Sequence, residues 1–76
     1  MERLYEILED IQPDVDYATC DKLIDAHILD SLALLSLVSE LEEEYDITIP
    51  TIEINQNNFN SAKKIMDLIL RLKEDY

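Results

Sequence analysis

No glycine occurs anywhere in this chain of 76 residues. Glycine is the residue that most readily supplies the positive φ of tight hairpin turns. Its absence argues against an all-β fold and suits a bundle of helices joined by roomier connections. Prolines number only two, Pro13 and Pro50. Hydrophobic residues make up 47% of the chain, enough to bury a core and too many for a disordered polymer. The expectation is one all-α domain over residues 1–76, near the lower size limit for a core without disulfides or metal.

Hydrophobic spacing places the helices. Leu4, Ile7, Leu8 and Ile11 fall at i, i+3, i+4 and i+7, the apolar stripe of a helix predicted over about Glu2–Ile11. Pro13 ends it, because proline drives the residue before it out of the helical region. Fully burying each stripe residue contributes roughly 1.5–3 kcal/mol before entropy is subtracted. The connection from Pro13 to Asp30 is long for a compact domain, so it needs anchors. Val15, Tyr17, Leu23, Ile24, Ile28 and Leu29 are available. A second helix is predicted over about Ser31–Tyr45, with Leu34, Leu35, Val38 and Leu41 facing inward and Leu32 and Leu37 partly off that stripe.

Beyond it, Ile47-Thr48-Ile49-Pro50-Thr51-Ile52-Glu53-Ile54 alternates like a strand. One strand alone has nothing to pair with, so this reads as an extended link whose isoleucines plug the end of the bundle. The asparagines of residues 55–60 favour a short third helix or turn, anchored by Phe59. A fourth helix, capped by Asn60 or Ser61, runs to about Glu74 on the stripe Ile65, Leu68, Ile69 and Leu72.

A formal net charge of −12 repels nucleic acid and anionic membranes and attracts basic patches on proteins. No apolar run approaches membrane-spanning length, and the first residues do not read as a secretory leader. Cys20 is the single cysteine, so no internal disulfide forms and a cytoplasmic setting is expected.

The stretch His27-Ile28-Leu29-Asp30-Ser31-Leu32 joins the long loop to the second helix. Asp30 and Ser31 are residue types that cap helix starts, because a side-chain oxygen accepts from an otherwise unpaired backbone N–H. The first turn also carries the positive end of the helix macrodipole, which suits a phosphate. A serine hydroxyl there is a reasonable place for a phosphate ester.

Asp30-Ser31-Leu32, the apolar helix after it, and Leu41-Glu42-Glu43-Glu44-Tyr45-Asp46-Ile47-Thr48-Ile49-Pro50 together resemble the acyl carrier proteins, over nearly the whole chain. The resemblance implies a four-helix bundle with a long loop between helices 1 and 2 and a short third helix. It implies 4'-phosphopantetheine attached to Ser31, flanked by Asp30 and Leu32, and acyl or aminoacyl groups carried on it as thioesters. The implied partners are a phosphopantetheinyl transferase, an acyl- or aminoacyl-activating ligase and a downstream transferase, all meeting a stand-alone, monomeric carrier. Residues 50–65, with Glu53-Ile54, Phe59 and Lys64-Ile65, look most like the D-alanyl carrier proteins of teichoic-acid modification.

Two departures from the family pattern matter. Carriers usually place glycine three or four residues before the serine; here those positions hold Ile28 and His27. Fatty-acid-type carriers place acids at the positions of Ala33 and Ser36, where this chain is neutral. Its acids gather later, at Glu40, Glu42, Glu43, Glu44 and Asp46. That is the end of the second helix, where the macrodipole prefers cations. An acidic block placed against helix stability suggests docking to Arg and Lys, with a solvated helical face as the bland alternative. Leu32 and Leu37 are the apolar candidates for partner contact.

Catalysis by the chain itself is not expected. Cys20 lacks a recognisable His and Asn/Asp arrangement around it. A hydrolase built on Ser31 and His27 would need an orienting acid and an oxyanion hole, and no glycine-rich elbow is present to build one. Asp14, Asp16, Asp21 and Asp25 lack the central glycine and terminal glutamate of a calcium loop, so no metal site is expected. The second reading of the chain is an acidic helical adaptor of the same fold that carries no arm.

Overall fold

The computed structural model describes residues 2–74, and the two amphipathic stripes at the ends of the chain become helices that pack on each other. Helix α1 spans Glu2–Ile11, α2 spans Ser31–Tyr45, α3 spans Gln56–Phe59 and α4 spans Ala62–Glu74. A single 3-10 turn, Thr51–Glu53, precedes α3. Among the described residues there is no strand. Helix α1 packs on both α2 and α4, and the short α3 packs on α4.

Leu4, Ile7 and Leu8 from α1, Leu37, Val38 and Leu41 from α2, and Ile65, Leu68 and Ile69 from α4 build the core, with Phe59 of α3 fully buried among them. The α1 and α4 stripes fall as their spacing requires. The α2 stripe does not match the sequence-based expectation. Leu37 is 0% exposed while Leu35 is 61% exposed. The inward residues are Leu34, Leu37, Val38 and Leu41, which again fall at i, i+3, i+4 and i+7. Helix α2 opens Ser-Leu-Ala-Leu-Leu-Ser-Leu-Val, so two overlapping stripes fit its first turns and only packing chooses between them. Leu37 is therefore a core residue, and full burial removes it from the candidate partner surface.

The loop from Pro13 to Asp30 is anchored to the bundle through Tyr17, Leu23 and Leu29, all buried. Tyr17 does more than fill space. Its hydroxyl lies within hydrogen-bond reach of the Gln12 carbonyl, just past the end of α1, and of the Leu8 carbonyl, which also accepts from Gln12 N–H at 2.8 Å. Burial, with Glu9 and Cys20 nearby, pushes the Tyr17 phenol above its usual pKa, so it stays a donor.

The second half of the loop is fastened by Asn60, the buried polar residue of the described structure at 8% exposure. Its Oδ1 accepts from the backbone N–H of Ile24 at 2.9 Å and of Asp25 at 3.1 Å. Its Nδ2 donates to Asp25 Oδ2 at 3.2 Å, and its carbonyl accepts from Leu23 N–H at 2.9 Å. Ser61 Oγ then accepts from Lys64 N–H and caps α4.

Ile47 and Ile49 of the link are buried, as expected of plugs, whereas Ile52 on the 3-10 turn is 83% exposed. Arg71 of α4 holds that turn through both oxygens of Glu53, at 3.1 and 3.3 Å.

The inward stripe of α2 predicts a sharp contrast between neighbours. Leu37→Ala should destabilise the domain by about 2–5 kcal/mol, the range for truncating a buried leucine. Leu35→Ala should stay within about 0.5 kcal/mol of the parent, as exposed positions do. Urea denaturation of the two variants measures both.

Candidate functional site

Three successive residues do three different things where the loop meets α2. Leu29 is buried at 3% exposure, and its N–H donates to the Leu23 carbonyl at 2.9 Å. Asp30 is the N-cap, extended at φ −81 and ψ −177. Its Oδ1 accepts from Ala33 N–H and its carbonyl accepts from Leu34 N–H, both at 2.8 Å. Ser31 is the first residue of the helix, and its side chain is exposed.

That arrangement divides the capping work. Asp30 satisfies one orphan donor of the first turn, so the Ser31 hydroxyl need not turn back as the cap and is left facing solvent. The earliest N–H groups, those of Ser31 and Leu32, have no carbonyl four residues back within the helix. They lie beside the hydroxyl together with the positive end of the macrodipole. Ser31 Oγ is accessible, and the first-turn N–H groups beside it are donors of the kind a phosphate accepts from.

The loop turns toward that corner at His27, whose φ is +58. This is left-handed backbone, the conformation glycine adopts most easily. The expected glycine is absent, yet the shape it would ease is reached by histidine, one of the non-glycine residues found there more often than most. The His27 side chain is exposed and lies in the chain reversal closed by its N–H to the Ile24 carbonyl at 3.0 Å.

Around Ser31 the exposed face of α2 is apolar. Leu32 is 76% and Leu35 61% exposed. Three residues apart, they are neighbours on one side of the helix. Leu35 was missed in the sequence because it fitted an inward stripe equally well.

The acidic block at the other end of α2 separates into different environments. Glu42 is half-buried, and its Oε2 accepts from Ile49 N–H at 2.8 Å, so this carboxylate holds the link rather than facing outward. Glu44 pairs with Arg3 of α1 at 2.9 Å. That contact, followed by Glu6, holds the Arg3 guanidinium more firmly protonated than usual. Lys73 of α4 donates to the Tyr45 carbonyl at 3.2 Å, supplying the cation that the helix end prefers. Glu40 and Glu43 are exposed. The helix closes at Asp46, left-handed at φ +53, whose N–H returns to the Glu42 carbonyl.

Cys20 is partly buried and free. Among the described residues, no group of three or more His, Cys, Asp and Glu side chains is placed to hold a metal ion. Among the described residues, no helix is long and apolar enough to cross a membrane.

An exposed serine at the start of a helix, braced by a cap and a tethered loop on a small acidic bundle, is the arrangement expected of a carrier. The family model described as "Phosphopantetheine attachment site" matches residues 2–69, and the chain belongs to that family. Among curated proteins it is similar to the D-alanyl carrier protein of Streptococcus mutans, 36% identical over 66 residues, covering 87% of this chain and 78% of the relative. The D-alanyl carrier protein of Streptococcus sanguinis is 35% identical over 69 residues, covering 90% and 87%. That of Streptococcus suis is 33% identical over 72 residues, covering 93% and 91%. The protein is a carrier of covalently bound 4'-phosphopantetheine, it works with ligase and transferase enzymes, and carriers of this family are not themselves catalysts.

The left-handed loop residue yields a prediction. A β-carbon in this conformation costs roughly 1–2 kcal/mol, part of which glycine's greater freedom in the unfolded chain offsets. His27→Gly should therefore stabilise the domain by about 1 kcal/mol or less in urea denaturation. His27→Ala, which keeps the β-carbon, should bring no gain.

Proposed function

We propose that Ser31 is the attachment residue and that the cargo is an aminoacyl group, D-alanine, held as a thioester. The exposure of Ser31 in the first turn of α2, with Asp30 already occupied as cap, carries this reading. Attachment joins Ser31 Oγ to the phosphorus of the phosphopantetheine half of coenzyme A and breaks its pyrophosphate bond; adenosine 3',5'-bisphosphate leaves, and the hydroxyl proton passes to a base of the transferase. The bound arm supplies the thiol that accepts the activated acyl group. The chain itself, a single carrier domain, supplies the fixed post, the accessible hydroxyl and the surface that enzymes meet, and performs no catalysis of its own.

The phosphopantetheinyl transferase, the aminoacyl-activating ligase and the downstream acceptor enzyme meet that surface at its apolar and acidic parts. Leu32 and Leu35 offer apolar contact beside the arm, and Glu40, Glu43 and Glu44 offer charge for basic patches farther along α2. Glu42, engaged with Ile49, contributes by shaping the helix end. A net charge of −12 speeds encounter with cationic partners and makes it sensitive to salt. The carrier works as a monomer in the cytoplasm. The D-alanine assignment is supported by the names of the similar proteins, D-alanyl carrier proteins at 33–36% identity.

Incubation with coenzyme A and a broad-specificity phosphopantetheinyl transferase should add one phosphopantetheine to the intact protein by mass spectrometry. Ser31→Ala should abolish the addition without altering the fold seen by circular dichroism. Unchanged mass of the parent, beside a control carrier that is modified, would refute the reading and favour the unarmed adaptor.

A further inference from the structure

We propose that Asn60, from the junction of α3 and α4, is a positioning residue for Ser31. It acts by fixing the loop that delivers the serine to the start of α2. The inference rests on the reading of Ser31 as the attachment residue.

Asn60 is far from Ser31 in sequence, yet a short series of contacts links them. Its Oδ1 accepts from two successive backbone donors, Ile24 N–H and Asp25 N–H, and its carbonyl accepts from Leu23 N–H. Three consecutive N–H groups of the loop are therefore held by one residue of the bundle. Leu23 in turn binds Leu29 through carbonyl and N–H at 2.9 Å, closing the loop on itself just before Asp30 caps α2. Movement at Leu23 is transmitted to Leu29 and so to Asp30 and Ser31.

The amide is suited to this in a way its isosteres are not. Asn60 needs an oxygen toward the backbone N–H groups and a donor toward Asp25 Oδ2, which lies 3.2 Å from Nδ2. An aspartate keeps the oxygen but sets a second carboxylate against Asp25. Asp25 is exposed, but the new carboxylate at residue 60 would itself be buried, which adds a desolvation cost to the repulsion. Hydrophobic replacements leave the two N–H groups without an acceptor. Asn60 therefore does more than fill its buried position, because both halves of its amide are matched to partners on the loop.

The arrangement also states how to rescue it. Asn60→Asp combined with Asp25→Asn reverses the donor and acceptor of the side-chain pair and keeps both backbone hydrogen bonds and the net charge. The test uses the full chain as parent, Asn60→Asp, Asp25→Ala and the reversed double variant. Modification by coenzyme A and a broad-specificity phosphopantetheinyl transferase gives kcat and KM for each, with urea midpoints and amide exchange at Ile24, Asp25 and Leu29 measured alongside.

Asn60→Asp should lower kcat by about tenfold with KM little changed, less than the roughly 100-fold that a full 1 Å misplacement of reacting groups costs. Amide exchange at the three loop positions should quicken. Asp25→Ala, the milder change, should move kcat and exchange in the same direction by less. The reversed pair should recover kcat and protection together.

A folded Asn60→Asp protein modified at the parental kcat would overturn the proposal, and so would a folded reversed pair that stays slow. If Asn60→Asp does not fold, Asp25→Ala decides: parental kcat with loosened loop amides overturns the proposal, and a lowered kcat supports it. Failure of the parent itself to be modified is a different result, which removes the Ser31 reading and this inference with it.

Discussion

The start of α2 must be fixed to the bundle while the side chain of its first residue stays outside it. Those demands conflict, because burial is what usually fixes a residue. The chain resolves the conflict by distributing them. Leu29 is buried, Asp30 spends its carboxylate on Ala33 N–H, and Ser31 is left exposed. Rigidity comes from the neighbours, so the hydroxyl is held in place without making the contacts that would close it off. A loop without this support would leave the serine accessible but poorly placed, and precise placement is what an incoming enzyme needs.

Doing this without glycine has a structural signature. Three described residues take positive φ: Asp14, His27 and Asp46. Each is of a type found in left-handed backbone more often than other non-glycine residues. They stand where the chain leaves α1, where it reverses toward Ser31, and where α2 ends. Each carries some local strain, tolerated because packed neighbours determine the path of the chain. At Asp46 the N–H returns to the helix, at His27 to the Ile24 carbonyl. Polar residues thus take the left-handed positions that glycine adopts most easily.

Much of the architecture was legible from periodicity and breakers. The limits of α1 and α2 fall where the stripes and Pro13 place them, and α4 follows the Ser61 cap. Legibility failed where spacing is degenerate or where an effect is long-range. Leucines crowd the first turns of α2, so Leu35 and Leu37 exchanged their expected places. Ile52 belongs to an alternating run but sits on a 3-10 turn that leaves it outside. Asn60 reads in the sequence only as a candidate cap; its partners are 35 and 36 residues away, and no local pattern announces them. The acidic block shows the same limit. Spacing puts Glu42 among surface acids, and only the packed link reveals that it faces Ile49 N–H. The cap and the helix start at the candidate serine were legible for the opposite reason, since both are local properties, whereas the exposure of Ser31 is seen only in the fold.

One oxygen, Ser31 Oγ, is the proposed point where the arm is tied. Tandem mass spectrometry of the protein isolated from its native cells, under conditions that preserve thioesters, tests it most directly. The expected fragments place a phosphopantetheine on Ser31, with part of the population heavier by one alanyl group. An arm mapped to another residue, or native protein bearing none, would contradict it.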